Sequence, residues 1–275
     1  MTDAEPTTTE PTTTEPTSTE PTSTEPTSTE VPASIRESWG LRDRPAKGPR
    51  PGLSLEKIVA AAIAVAGRDG LAAVSMSRVA AELGSSAMSL YRYVAAKDEL
   101  LALMFDAATG VPPRGPDPAD GWRPGLRHWT TEVFAAYRRH PWAVRIPISG
   151  PPITPNQTAW LELALGYLRD TGLTEQEKLS CVLLLSGFVR NQASMVADFA
   201  EAIRAGATPG QAAASYGRTL AGLIDPQHFP FVSAAIASGS LDDETPPDGE
   251  PLADELAFGL ERILDGIDVL IRSRA

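Results

Sequence analysis

Between Ser86 and Tyr93 the chain gathers small hydroxyls, a guanidinium and two phenols: Ser86, Ala87, Ser89, Tyr91, Arg92 and Tyr93. Hydroxyls and phenols make single directed hydrogen bonds, and a guanidinium grips phosphate or a guanine edge. Such a set suits the base edges and phosphates of duplex DNA. Little else in the sequence offers chemistry. The three histidines and one cysteine have no metal-ligand spacing, so neither a metal nor another cofactor is expected. No nucleophile–base pair or phosphate-cradling glycine loop stands out. Cys181 lies in the apolar run CVLLLSGF and reads as packing. A lone cysteine closes no disulfide within the chain, which fits a reducing cytoplasm.

The elements that must position these groups are legible on either side. Ser75 is a good N-cap, and Val79, Ala80 and Leu83 then share one helical face. Gly84 permits the left-handed conformation that ends a helix, and Ser85 or Ser86 can cap a second, short one. Spacing alone fits a plain helical hairpin equally well. The flanks tip the balance. Upstream, Ser54 precedes LEKIVAAAIAVAGR, with Leu55, Ile58, Val59, Ala62, Ile63 and Ala66 on one face and Gly70 as its stop. Downstream, KDELLALMFDAA from Lys97 carries acids in its first turn, where the helix dipole favours them. The order is helix, helix, turn, short helix, connecting helix.

Residues 53–110 resemble the DNA-binding domain of the TetR family of transcriptional regulators. The match rests on IVAAAIAVAGRDGLAAVSMSRVAAELG followed by SLYRYVAAKDELL. The resemblance implies a helix-turn-helix whose second helix, about Ser86–Tyr93, enters the major groove. Ser89 and Tyr93 are then expected at bases. Tyr91, Lys97 and either Ser77 or Arg78 are expected at phosphates.

Charge is distributed unevenly. The chain carries a net −11, but residues 1–35 hold seven acids and no base, residues 36–104 hold ten bases against seven acids, and the remainder holds fourteen against twenty-one. The only positive segment is the one that would meet phosphate, and local charge governs that encounter. Residues 5–30 are five copies of Glu-Pro-Thr-(Thr/Ser)-Thr ending in Glu30. Proline at every fifth position forbids a helix, so residues 1–35 read as a disordered acidic tail. Residues 36–52, with Arg36, Arg42, Arg44, Lys47 and Arg50 among prolines, read as a flexible basic arm that could reach phosphates or the minor groove.

Residues 110–121 read as a linker, and residues 118–275 as a second, larger helical domain, making the chain all-α. Helices are expected over 122–140, 155–171, 175–204 (opened by a Thr174–Glu177 capping box), 208–222 and 252–272. The helices at 175–204 and 252–272 carry apolar stripes, and Gly259 and Gly266 would admit a close neighbour. Two such helices from each of two chains would build a four-helix dimer bundle; the alternative is that both stripes serve only their own core. No continuous apolar run approaches a membrane span. Aromatic residues suggest an apolar small-molecule pocket, with His128, Tyr137, Trp160, Phe188, Asn191 and Gln192 as candidates.

This second domain resembles the tetracycline-repressor-like subgroup at WRPGLR, HPW and FGLERILDGI. The resemblance implies a homodimer and a small-molecule effector that releases an operator. A helical interaction module with an idle reader, or an enzyme using the aromatic cavity, would be the alternatives.

Overall fold

The computed structural model describes residues 31–41, 52–148, 150–206, 217–240 and 253–274. The acidic repeat, most of the basic arm, the expected helix start at Thr208 and the 241–250 loop lie outside them. Among the described residues every regular element is helical, as expected.

The first surprise is helix α1, Ala33–Ser38, in a region read as tail and arm. It forms because Ile35 has a core to enter: the side chain is buried in the same cluster as Leu100 and Met104. Ser34 donates to the Glu99 carboxylate at 2.7 Å, and the Trp39 indole donates to the Ile153 carbonyl at 2.8 Å. Arg36 therefore rides on a docked helix rather than a flexible arm. Six residues are too few to show periodicity in the sequence.

The next four helices follow the sequence reading. Helix α2 (Leu55–Asp69) is capped by Ser54, whose hydroxyl accepts from Lys57 N, and buries Leu55, Ile58, Val59, Ala62, Val65 and Ala66. Helix α3 (Met76–Glu82) is capped by Ser75, and α4 (Ala87–Tyr91) by Ser86. Gly84 between them has φ 59°, a conformation costly for residues with a Cβ. Helix α5 (Lys97–Thr109) buries Leu100, Leu101, Leu103 and Met104 and packs against α1 and α2 as well as the larger part.

The larger part comprises α6 (Trp122–Arg139), a 3₁₀ turn at Pro141–Arg145, α7 (Pro155–Tyr167), α8 (Glu175–Arg204), α9 (Pro230–Ala237) and α10 (Ala253–Arg272). The Thr174–Glu177 capping box is present: Glu177 N donates to the threonine hydroxyl at 3.3 Å, and Thr174 N to the glutamate at 2.9 Å. Two hydrophobic clusters hold the molecule. One lies within the larger part, around Leu126, Trp129, Trp160, Leu168, Leu185 and Leu264. The other crosses between the two expected domains, joining Val65, Leu90 and Met104 to Trp142, Val144, Ile146 and Val189. Residues 32–275 are accordingly one compact unit.

Helix α8 has the length and mean hydropathy, 1.2 over its best stretch, to cross a bilayer, although no continuous apolar run announced this. It runs instead through the bundle, with Cys181, Val182, Leu185, Val189 and Ala193 buried against its neighbours. Helix α10 packs on it through Leu260, Leu264 and Ile267. At Gly259 the two meet closely, since a Cβ there would lie 2.5 Å from the Phe188 ring. That glycine thus serves a contact within the chain, while Gly266 faces open space. An ionic clamp ties α10 to α6: Arg123 reaches Glu261 and Asp265, both at 2.6 Å, and Arg127 reaches Glu261 at 2.7 Å.

Two outcomes are expected. Hydrogen bonds from Arg127 and Arg123 lower the Glu261 carboxyl from an ordinary 4.5 to about 2. A carboxyl depressed on folding contributes stability that is full above its unfolded value and lost as pH falls through its folded one. Glu261→Gln should therefore lower Tm modestly at neutral pH, with the gap to wild type closing between pH 4.5 and about 2 in a pH series of melts. Gly125 lies inside α6, where alanine would ordinarily favour the helix, but its Cβ would meet the Tyr167 ring at 2.1 Å. Gly125→Ala is expected to cost about 1–3 kcal/mol in urea unfolding, because overpacking outweighs propensity.

Candidate DNA-reading surface and ligand cavity

Only Leu90 of the α4 residues is buried, which anchors the helix and leaves its other side free. Met88, Tyr91 and Arg92 are exposed and lie three and four residues apart, so they share the outward face. Ser86 and Ser89 border it, their hydroxyls 2.9 Å apart, with Ser86 also capping Ser89 N. Lys97 is exposed at the first turn of α5. Ser77 and Arg78 are exposed on α3, but Arg78 is held at 3.0 Å by Asp69. Arg68 is bound in turn by Glu82 at 3.0 Å.

Two expectations change here. Tyr93 turns inward: its hydroxyl donates to the Leu53 carbonyl at 3.1 Å, and its ring packs on the core. It braces the start of α2 against the end of α4 and is poorly placed for a base. Ala87 likewise packs partly on the core instead of facing outward. Sequence reasoning missed Met88, which is 75% exposed, the most exposed large apolar side chain of this helix-turn-helix. The signal was available: once Leu90 is the core residue of so short a helix, position 88 must face away from it.

The larger part and the end of α5 form a partly open cavity of about 570 Å³, within the range of small-molecule sites. Its walls come from Phe105 and Thr109 of α5, Trp129, Val133 and Tyr137 of α6, Gln157, Trp160 and Leu161 of α7, and Leu179, Val182, Leu183, Ser186 and Arg190 of α8. Ile148, Pro151 and Pro152 complete it. The indoles are fixed by their polar ends. Trp129 donates to the Trp160 carbonyl at 2.8 Å, Trp160 donates to the Gly110 carbonyl at 2.9 Å, and the rings meet edge-on. Burial raises the Tyr137 phenol above its ordinary range, opposed by the charge of Arg190 beside it. Burial also raises the Cys181 thiol, in keeping with its packing role.

Of the pocket candidates read from the sequence, Tyr137 and Trp160 line the cavity. The other four do not. Phe188 fills the notch at Gly259, and Asn191 is exposed on the outer face of α8, its amide turned to Met195. His128 packs beside Gly115, and Gln192 keeps a buried carbonyl oxygen without a hydrogen-bond partner among the described residues. The error is one of helical phase. The cavity face of α8 runs through Leu179, Val182, Leu183, Ser186 and Arg190, on roughly the opposite side of the helix from Phe188, Asn191 and Gln192. Among the described residues no cluster of His, Cys, Asp or Glu could hold a metal.

The exposed face makes distinct demands on its members. With DNA carrying its specific site, Lys97→Ala should weaken binding about equally on all sequences and lower the salt slope by about 1. Met88→Ala should instead lose affinity selectively, for one base pair of the site. Fluorescence anisotropy over a salt series with single-base variants separates the two.

Comparison with known proteins agrees with this arrangement. Residues 58–104 match the family model for bacterial regulatory proteins of the tetR family, and residues 115–271 match that for the tetracyclin repressor-like C-terminal domain. The chain is 36% identical to the HTH-type transcriptional repressor DrrR1 of Streptomyces coeruleorubidus over 247 residues, covering 86% of this chain and 85% of that one. The fold is similar to apo ActR of Streptomyces coelicolor (TM-score 0.67, 25% identity, 82% of this chain and 100% of that one). It is also similar to ActR in complex with actinorhodin (TM-score 0.63, 26% identity, 79% and 96%). With helix-turn-helix and cavity-bearing part both matched, the chain belongs to the TetR family of DNA-binding transcriptional regulators.

Proposed function

We propose that this regulator is a homodimeric cytoplasmic repressor that leaves its operator when an aromatic small molecule fills the cavity. The observation that carries the reading is the position of α5. Its first three turns belong to the core of the DNA-reading unit, while Phe105 and Thr109 at its end line the cavity. A molecule in the cavity touches the very helix that carries the reader. The joint between them is polar and buried. Asp106 is 5% exposed, and its carboxylate accepts from Gln157 N and the Asn156 amide, both at 3.0 Å. Gln157 also lines the cavity, so displacement of α7 is delivered to α5 through hydrogen bonds rather than soft contacts.

The aromatic class follows from the walls, rich in Trp, Tyr and Phe, and from the similarity to ActR, solved with actinorhodin. Release requires the ligand to prefer the conformation that cannot span the operator; equal affinity for both would shift nothing. Dimerisation follows from what the single chain leaves uncovered. Leu184, Gly187, Asn191 and Met195 on α8, and Phe258, Gly266 and Val269 on α10, are exposed. No Cβ neighbour lies within 4 Å at Gly187 or Gly266, leaving room for close helix approach. A two-fold pair would present two α4 helices to the half-sites of a palindrome. Ser86, Met88, Ser89 and Arg92 would face bases, with Tyr91, Lys97 and Ser77 towards phosphates. The chemistry is binding and not turnover.

The deciding measurement is binding to the DNA flanking the gene, with a scrambled control, salt titration and addition of actinorhodin or related polycyclic aromatics. Specific, salt-sensitive binding at two protomers per site, lost on adding ligand, is the expected result. A folded dimer with no preference over scrambled DNA would support the idle-reader alternative. Leu184→Glu should yield monomers by light scattering and weaken operator binding at least tenfold or so, since each half-site contact then acts alone.

A further inference from the structure

Among the described residues, Arg190 is the one charged side chain on a cavity wall that is mostly apolar and aromatic. Its guanidinium is fixed: one terminal nitrogen donates to the Val144 carbonyl at 2.7 Å and to the Ile146 carbonyl at 2.5 Å. Those two bonds use both hydrogens of that nitrogen. Three N–H donors remain on the other terminal nitrogen and Nε, and the neighbouring Tyr137 phenol already draws on the guanidinium. No carboxylate pairs with Arg190 among the described residues, and none lines the cavity. Of the acids on neighbouring elements, Asp198 is held by Arg145 and Asp106 by α7. A cation beside low-polarity walls is costly to leave unpaired, and an arginine anchored from behind presents its remaining donors in a fixed plane. Tyr137 stands next to it as a further donor, and Ser186 lies one turn before it on the same face of α8.

The geometry points to an effector that is an aromatic acid, its rings lying among Trp129, Trp160 and Phe105 and its ionised carboxylate or acidic phenolate received by Arg190 and Tyr137. The assignment rests on the ligand-cavity reading above and sharpens it: flat aromatics without an acid should bind poorly. It also gives Arg190 two duties. The guanidinium ties α8 to the Pro141–Ile146 turn, whose Trp142 and Val144 lie in the core shared with the DNA reader. An anion that redirects this side chain thus pulls on that turn.

The test uses the full-length protein and quenching of its tryptophan fluorescence by two- and three-ring aromatic carboxylates, anthraquinone-2-carboxylate among them, each paired with its neutral carboxamide. For wild type the acid should bind on the order of tenfold or more tighter than its amide, as a charge-assisted hydrogen-bond pair implies. Arg190→Met should erase that preference while leaving amide affinity within about twofold, because the aromatic contacts persist. Arg190→Lys should keep part of the preference. Equal wild-type affinity for acid and amide would overturn the acid assignment and leave the cavity reading standing. Failure of every probe to bind wild type, with actinorhodin also without effect on DNA binding, would overturn the cavity reading itself. Should Arg190→Met not fold, judged by circular dichroism, Arg190→Lys and Tyr137→Phe decide: unchanged acid preference in both overturns the proposal.

Discussion

The molecule depends on one buried carboxylate. Asp106 sits near the end of α5, where the chain leaves the DNA-reading unit, and it is satisfied by the first turn of α7. A carboxylate at a helix N-terminus gains from the dipole as well as from its hydrogen bonds, and so fixes an angle between two helices. Around that fixed angle the rest is arranged. Phe105 and Thr109, on either side of Asp106, become cavity wall. Trp160, one turn beyond Gln157, reaches back to the Gly110 carbonyl and closes the same corner. A hydrophobic contact of equal area would allow sliding; a buried charge with directed donors does not.

The legibility of the sequence varied with the range of the interactions involved. Caps and stops act within a few residues, so Ser54, Ser75, Ser86 and Thr174 announced their helices correctly. The stripe of α2 was legible because that helix has one solvent face and one core face, whereas α5, buried on most sides beyond its first turn, was marked by the acids of that turn. Helix α1 was hidden: only contact with α5, more than sixty residues away, makes Ile35 a core residue. The cavity face of α8 was obscured for another reason. That helix is apolar on most sides, because different sides meet the cavity, the core and open surface, and periodicity cannot assign a side when all are apolar. Asn191 and Gln192 looked unusual on such a stripe, yet polarity marked the outer face and the α8 flank. The polar residue that does line the cavity is Arg190, one residue away.

The DNA-reading unit shows a similar division. Its frame was legible, down to the Gly84 turn, but the orientation of single side chains was not. Tyr93, expected at a base, braces the core, while Met88, to which the sequence reading gave no role, faces out. In so short a helix, one buried anchor sets the phase, and identifying Leu90 as that anchor settles the others.

The hydrophobic cluster that spans the expected domain boundary bears on how the chain folds. Its members range from Ile35 to Ala193, so the reader's core is completed by residues made long after its own helices. During synthesis, α1 to α5 would emerge with the surface later covered by Trp142, Val144 and Ile146 still wet. Such long-range closure slows folding and defers commitment until much of α8 exists. The core behind the DNA-reading helices is thus complete only when the cavity-bearing part is already in place, and a truncated chain is expected to hold those helices less firmly.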